Sequence, residues 1–213
     1  SARPMGKLRV SPPLVGTLVL PALGEFMRQY PDIPLELDFS DRMVDVIAEG
    51  FDAVLRIGHP SDSRLSARKL GHFRFITVAA PSYLALRGEP QTPTALLDHA
   101  CLQYRFPSSG KVERWLMRGN DAEVELALPA SMVCNNIETR VCFALRGLGI
   151  AWLPDFAIRD RLDEGTLREV LSDYANHTGV MHLLWPASKH PSPKLRALID
   201  FLSERLFPAG DLT

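Results

Sequence analysis

Residues 40–58 read SDRMVDVIAEGFDAVLRIG and predict a short helix followed directly by a strand. Asp41 is a favourable helix N-cap, and Gly50 stands where a helix would end in a left-handed turn. Met43 belongs to the apolar stripe between them. Residues 53–57 are mostly apolar and precede a glycine, which is typical of a buried strand.

A second strand is predicted immediately upstream, at residues 33–39. Apolar residues alternate there with a proline and acidic residues, so one face of the strand should be wet. Strand, helix and strand form a βαβ unit, whose crossover is almost always right-handed. Ligands collect at the carboxyl ends of such strands, here Phe39-Ser40 and residues 57–59.

Helix signals occur at three other places. Residues 14–30 carry an apolar stripe of helical period, and Pro21 should kink that helix or distort a turn. Asn135 and Glu138 match a capping box, with Asn as N-cap of a helix that runs to residue 146. Ser192 should cap a closing amphipathic helix.

The order of these motifs resembles a known family. Residues 41–58, followed by RKLGHFRFITVAAPSYL at 68–84, HACLQY at 99–104 and LRGLGIAWLPDFAI at 145–158, are similar to the effector-binding domain of LysR-type transcriptional regulators. The resemblance implies an α/β, type II periplasmic-binding-protein-like fold. Such a fold has two Rossmann-like subdomains, joined by two crossovers, with a ligand cleft between them.

Two crossings divide the chain on this interpretation. We expect them near Ala80 and Leu183, where strands leave and re-enter the first half. Subdomain I would then comprise residues 5–80 and 184–208, and subdomain II residues 81–183. Two crossings would let the halves hinge about the shared cleft.

The composition is that of an ordinary globular protein. The 213 residues include 24 basic and 25 acidic side chains, for a formal net charge of −1. A nucleic-acid binder usually shows a basic surplus, so this chain by itself is not expected to bind DNA. No apolar run approaches the ~20 residues of a membrane span, and the start lacks the apolar core of a signal peptide. We expect a cytoplasmic protein without a membrane partner.

Cysteine and histidine residues give no sign of catalysis or metal binding. Cys101, Cys134 and Cys142 form an odd, sparse set, which favours free thiols in a reducing compartment. Cys134 and Cys142 are either a redox switch or small buried hydrophobic residues. The six histidines lack ligand spacing, and no GxSxG, HExxH or CxxC motif occurs. No catalytic residue, metal or cofactor is therefore expected, and the chain is not interpreted as an enzyme.

Helix N-termini suggest the chemistry of a ligand. Helices predicted to begin near Leu14, Arg42 and Asn136 would present unpaired amides and positive dipole ends. Small anions, above all carboxylates, are the natural ligands of such ends. We therefore predict a small organic acid, with an aromatic acid as one alternative.

The resemblance adds specific effector contacts. In many relatives the loop after the first strand carries hydroxyl residues. This chain has Pro12 and Pro13 in that loop, so the contacts expected at Pro12, Pro13 and Leu14 match those of the family by position only. Arg105 would neutralise the acid, Phe106 would cover an apolar body, and Ser40 would donate a hydrogen bond. The expected effector-binding residues are Ser11, Pro12, Pro13, Leu14, Ser40, Ile57, Gly58, Arg105, Phe106 and Asn135.

Helix 14–30 is apolar beyond one face and must bury a second face. Its partner is either the same chain or a second subunit. The resemblance implies antiparallel packing against residues 136–146 of a second copy, with a tetramer in the full-length protein. The expected dimer-interface residues are Leu20, Gly24, Met27, Ile137 and Val141.

The leading functional hypothesis is the ligand-sensing and dimerising part of a bacterial transcription regulator. Promoter DNA would be bound only by an N-terminal winged helix-turn-helix, which is absent from this sequence. The alternative is an extracytoplasmic type II solute-binding protein of a transporter.

Overall fold

The computed structural model describes residues 3–42, 44–107, 109–119, 123–187 and 190–207. The helices and strands are, in chain order, β1 Leu8–Ser11, α1 Val19–Gln29, β2 Leu35–Leu37, β3 Ala53–Ile57, β4 Leu65–Ala79, α2 Pro81–Arg87, β5 Cys101–Tyr104, β6 Leu116–Arg118, β7 Glu123–Glu125, β8 Ala130–Cys134, α3 Ile137–Leu145, β9 Ile150–Pro154, α4 Arg159–Glu164, β10 Arg168–Val170, β11 Thr178–Pro186 and α5 Pro193–Arg205. Short 3₁₀ turns lie at Pro93–Asp98, Asp155–Ala157 and Ser172–Tyr174. Across the described ranges, no helix has both the length and the apolar character that crossing a membrane requires.

The chain forms two compact units. Residues 1–72 and 179–213 make up the first unit, and residues 73–178 make up the second. The chain therefore leaves the first unit within β4 and returns to it within β11. The crossings predicted from the sequence, near residues 80 and 183, lie at the end of β4 and within β11. The predicted subdomain boundaries themselves remain a prediction.

The sheet of the first unit has the order β2-β1-β3-β11. β1 is parallel to both β2 and β3, and β11 is antiparallel to β3. The two strands of the predicted βαβ unit are thus separated by β1. Because β1, β2 and β3 are parallel, their carboxyl ends meet at one edge of the sheet.

The short helix predicted after Asp41 is not found in the described residues 41–42 and 44–50. Residues 46–50 are a turn, in which the Ala48 amide donates to the Asp45 side chain at 3.0 Å. Asp45, and not Asp41, therefore caps this segment, so the segment contains only the single turn at residues 46–50. Gly50 has the predicted left-handed backbone, with φ of +71°. Met43 lies outside the described residues.

Helix α1 begins at Val19 instead of residue 14. Pro21 consequently lies in the first turn, where the missing N–H needs no helical partner, so no kink is required. The buried side of α1 includes Phe26, whose ring meets that of Phe201 in α5 edge-to-face at 5.5 Å. The opposite side leaves Leu20 and Met27 nearly half exposed, at 46% and 48%.

The second unit has a sheet of order β10-β4-β9-β5-β8. β9, β5 and β8 are parallel to one another, whereas β4 is antiparallel to both β9 and β10. Successive residues of β9 pack into separate apolar clusters, Trp152 with Trp115 and Leu153 with Ala144 of α3. Both faces of the sheet are therefore covered.

The caps of α3 and α5 test two sequence predictions. Asn136, not Asn135, is the N-cap of α3, and its side chain accepts from the Thr139 amide at 2.8 Å. The cap lies one residue later than predicted, so Glu138 is not at the capping-box position. Ser192 caps α5 as predicted, accepting from the Leu195 amide.

Candidate functional site

A buried arginine lies near the carboxyl end of β3. Arg56 is 4% exposed. Its Nη1 donates to the carbonyl oxygens of Ser11 and Leu55 at 2.8 and 2.7 Å, and its Nη2 donates to the Ser11 hydroxyl at 2.7 Å. Its Nε donates to the Arg42 carbonyl oxygen at 2.8 Å. The guanidinium therefore ties the end of β1 and the loop after β2 to β3.

The charge of Arg56 has only neutral acceptors in its immediate contact. Among the described residues, no carboxylate forms an ion pair with it within 4.0 Å. Burial lowers the pKa of Arg56 to about 10, and the charges of Asp41, Asp38 and Glu49 oppose that shift. A pKa of about 10 still leaves the side chain protonated at neutral pH. The edge thus contains a buried positive charge.

The loops after β1 and β2 are bonded to each other. The Ser40 amide donates to the Pro12 carbonyl oxygen at 3.0 Å, and the Leu14 amide donates to the Asp41 carboxylate at 2.9 Å. The Ser40 hydroxyl accepts from the Arg42 amide at 3.0 Å. The amides of Leu14 and Arg42, predicted to be free at helix starts, are therefore occupied, and no helix begins at either place within the described part of the chain.

The predicted residues of the first unit differ greatly in exposure. Ser11 is fully buried, and Pro12 and Pro13 are buried as well. Leu14 is 43% exposed and Ser40 is half-buried. Ser11 supports the edge through Arg56, whereas Leu14 and Ser40 lie at its surface.

Residues of β11 hold the carboxyl end of β3 in place through hydrogen bonds. Gly58 has a φ of +112°, and its amide donates to the Val180 carbonyl oxygen at 2.9 Å. The carbonyl oxygen of Gly58 lies 2.5 Å from Nδ1 of His182, which is buried on β11. Ile57 is half-buried beside it. The structure therefore brings Ile57 and Gly58 to the same edge as Ser11 and Ser40.

The second unit brings the other predicted residues together at its own strand ends. The Arg105 amide donates to the Cys134 carbonyl oxygen at 2.7 Å, which places Arg105 beside the end of β8 and Asn135. The Arg105 side chain is exposed and donates from Nη1 to the Gly110 carbonyl oxygen at 2.6 Å. Phe106 is 38% exposed and meets Tyr104 edge-to-face at 5.3 Å.

A second buried arginine lies in the same unit. Arg140 of α3 is 3% exposed. Its Nη1 donates to the Trp152 carbonyl oxygen at 3.0 Å and lies 3.6 Å from a carboxylate oxygen of Glu113. The guanidinium carbon lies 4.8 Å from the ring centroid of Tyr104. Burial lowers the pKa of Arg140, and Glu113 opposes that shift.

Sequence reasoning missed both buried arginines as functional candidates. Arg56 is a charged residue inside an apolar strand, and that break in the pattern is a usable signal. Arg140 shares a helical face with Ile137 and Ala144, at spacings of three and four residues. A charge on the inward face of a helix indicates a buried ion pair or a site.

The thiols and possible metal ligands add no further centre. In the part of the chain that the structure describes, no three His, Cys, Asp or Glu residues are grouped to hold a metal ion. Cys101 is buried, and burial raises its pKa to about 12. Cys134 is half-buried and Cys142 is exposed.

The sequence matches a family profile described as the LysR substrate binding domain over residues 1–207. It is 33% identical over 203 residues to a putative transcriptional regulator of Pseudomonas aeruginosa, covering 94% of this chain and 66% of that protein. It is 34% identical over 209 residues to the HTH-type transcriptional regulator CrgA of Neisseria meningitidis, covering 95% of this chain and 68% of that protein. The chain thus spans about two thirds of the length of these relatives.

Solved structures of regulators share the fold. The structure of CrgA, a LysR-type regulator from Neisseria meningitidis, superposes with a TM-score of 0.86 at 30% identity over 96% of this chain and 70% of that chain. Full-length AphB, a virulence activator of Vibrio cholerae, gives a TM-score of 0.82 at 30% identity over 93% of this chain and 68% of that chain. The predicted α/β, type II periplasmic-binding-protein-like fold class is confirmed. The solute-binding alternative is not favoured, because these relatives are regulators.

Proposed function

We propose that this chain, which belongs to the LysR substrate-binding domain family of transcriptional regulators, senses a small anionic effector and so controls DNA binding by another part of the full-length protein. We propose an anionic effector because Arg56, which is buried and protonated, lies at the carboxyl ends of β1 and β3. In open α/β sheets, ligands bind outside the carboxyl ends of the strands. An effector at this edge would meet the positive charge of Arg56, which forms no ion pair with a described carboxylate, and also the carboxylate of Asp41 on the Leu14 amide.

The surface of this edge supplies the proposed contacts. Ser40 is half-buried and offers a hydroxyl, while Leu14 offers exposed apolar area. Ile57 and Gly58 would border the effector. Ser11, Pro12 and Pro13 are buried and would act by shaping the loop. The contribution of Arg105, Phe106 and Asn135 from the second unit is proposed on family resemblance and on their place at the ends of β5 and β8.

The full-length protein would bind promoter DNA through its N-terminal region, in keeping with the HTH-type names of its relatives. We also propose that the chain forms a homodimer, and a tetramer when full-length. The apolar face of α1, formed by Leu20, Gly24 and Met27, is exposed in a single copy. It would pack on Ile137 and Val141 of a second copy, in the manner expected for this family.

A ligand screen tests the sensing function. Organic acids and their neutral amides are added to the purified chain, and the melting temperature is recorded. Ligand at 100 times its dissociation constant should stabilise the fold by about 2.7 kcal/mol. Ser40→Trp should abolish the response by filling the site. The proposed place is wrong if the Trp variant responds as the wild type does.

Light scattering tests the proposed dimer. Gly24→Trp should yield a monomer, because a Cβ added there has no neighbour within 4 Å beyond the adjacent residues and backbone of its own helix, so the bulk would meet the partner. Leu86→Glu is the matched control, since Leu86 is 82% exposed on α2 and lies outside the proposed interface. A dimer that survives Gly24→Trp would contradict the proposed interface.

A further inference from the structure

Gly71 of β4 leaves room for an aromatic ring. A Cβ added to Gly71 would lie 2.6 Å from Cδ2 and 2.7 Å from Cβ of Phe207, and it would also clash with Cγ of that residue. Because the Cβ of Phe207 is attached to its own backbone, only a movement of the segment after α5 could relieve the clash. The φ of Gly71 lies outside the positive region that favours glycine. The Phe207 side chain, and not the backbone conformation, therefore explains the glycine.

This contact lies where the chain leaves the first unit. The first unit extends to His72, and the second unit begins at Phe73. β4 continues through that boundary without a break, from Leu65 to Ala79. A contact at Gly71 therefore holds the strand immediately before it crosses into the second unit.

Helix α5 meets β4 at a second place. Nη1 of Arg68 lies 3.5 Å from Oδ1 of Asp200 and 3.4 Å from the Ser203 hydroxyl oxygen. Three residues of a strand and seven residues of a helix each span about 10 Å. The two contacts therefore place α5 alongside residues 68–71 of β4, with both elements running in the same direction.

The same helix is also packed on α1. The Phe201 ring meets the Phe26 ring edge-to-face at 5.5 Å, and Nη1 of Arg205 lies 3.0 Å from Oε1 of Glu25. Helix α5 therefore joins α1 to the part of β4 that precedes the crossing.

We infer that residues 193–207, which comprise α5 and Phe207, form a brace that makes residues 65–71 of β4 move with α1. The brace confines bending of this crossing strand to the residues after Gly71. Every residue of the brace, and every residue that it holds, belongs to the first unit. The inference goes beyond the proposed function, because it does not depend on which ligand the chain binds.

A double-mutant cycle tests the contact between Gly71 and Phe207. Gly71→Ala should lower the melting temperature by roughly 5 °C, because the added methyl group forces the Phe207 side chain out of place. In the Phe207→Ala background the same substitution should lower it by only about 1 °C, since the obstructing ring is gone.

The matched control for the cycle is Gly149→Ala in the second unit. A Cβ added there would lie 2.7 Å from the carbonyl oxygen of Ala100, so this substitution also creates a clash, but with backbone. Its effect on the melting temperature should be the same with and without Phe207→Ala.

Hydrogen exchange of the Phe207→Ala chain tests the brace and does not require Gly71→Ala to fold. Amides of residues 65–71 should exchange on the order of tenfold faster than in the wild type, because apolar burial that holds this part of β4 is lost. Amides of residues 74–79 should exchange as before, since they belong to the second unit. Phe39→Ala is the matched control: it truncates a phenylalanine of the same unit that is 39% exposed, and it should leave residues 65–71 unchanged.

Each other outcome counts against a definite statement. If Gly71→Ala is equally costly in both backgrounds, or folds in neither, the Phe207 side chain is not the reason for the glycine. Unchanged exchange of residues 65–71 in Phe207→Ala overturns the brace, and faster exchange throughout residues 65–79 overturns the confinement of bending. Because these measurements use no ligand, their failure would leave the proposed sensing function untouched.

Discussion

Arg56 and Arg140 invite a direct comparison, because each is a buried arginine close to the ends of parallel strands in its own unit. Arg140 has an acidic partner, Glu113, at 3.6 Å and an aromatic ring against its guanidinium. Arg56 has carbonyl oxygens and a hydroxyl. Arg140 thus has a counter-ion at ion-pair distance, although its Nε has no hydrogen-bond partner among the described residues. The carboxylates that act on Arg56, those of Asp41, Asp38 and Glu49, form no ion pair with it among the described residues.

The largest effect should come from breaking the charged pair of the second unit. Arg140→Met removes the guanidinium and leaves the carboxylate of Glu113, which is only 14% exposed. Removing one partner of a buried ion pair costs about 3–5 kcal/mol. Urea denaturation at pH 7 should show a loss of this size in the free energy of unfolding.

The control for this prediction is the double variant Glu113→Gln/Arg140→Met. It should recover a substantial part of the lost free energy, because the charge of Glu113 is removed together with that of Arg140. A double variant as unstable as Arg140→Met alone would show that packing of Arg140 on Tyr104, and not the ion pair, is what stabilises the unit.

A smaller effect should follow from Arg56→Met in the first unit. The substitution leaves neutral acceptors of Ser11 and Arg42 without a donor, at a cost of about 1–3 kcal/mol. The cost of burying an unpaired charge is removed at the same time, which offsets part of the loss. The free energy of unfolding should therefore fall by less than in Arg140→Met.

The matched control is Ser11→Ala, which removes one acceptor of Arg56 and should cost about 1 kcal/mol. If Arg56→Met were more destabilising than Arg140→Met under the same conditions, the two arginines would not differ in the way that their partners suggest. The structural role of Arg56 would then be the dominant one.

The sequence predicted the fold class because its signals are local and periodic. The apolar run at 53–57 is recognisable by itself, and the family motifs, which include residues 99–104 and 145–158, fix the order of the elements. Errors arose where a local signal met a tertiary contact. Asp41 has good N-cap chemistry, but its carboxylate accepts from the Leu14 amide in a different loop.

The candidate site was harder to predict for the same physical reason. Sequence patterns placed Ser11, Ser40 and Gly58 at strand ends, and in the structure they lie at one edge of the first unit. They could not reveal that the amides there are occupied or that a guanidinium from β3 reaches the Ser11 hydroxyl. Such bonds join residues distant in sequence, so periodicity carries no information about them.

The smallest effect is expected from an exposed ion pair, which sets the lower end of the comparison. Asp62 accepts from Nη2 and Nε of Arg64 at 2.8 and 3.1 Å, and the pair lies at the surface of the first unit. These hydrogen bonds from Arg64 lower the pKa of Asp62 from 3.8 to about 2. Water and salt screen such a pair, so its contribution to stability should be slight.

The sign of its pH dependence follows from the lowered pKa. The folded state favours the ionised carboxylate, so the contribution is fully present above pH 3.8 and is lost as the pH falls through about 2. Asp62→Asn should therefore lower the urea midpoint only slightly at pH 7. The change should be smaller still near pH 2 or in 0.5 M salt. Arg140→Met should remain strongly destabilising in the same salt, because its pair is buried. A surface variant as costly as the buried one would mean that burial is not what separates these charges, and the contrast between Arg56 and Arg140 would lose its physical basis.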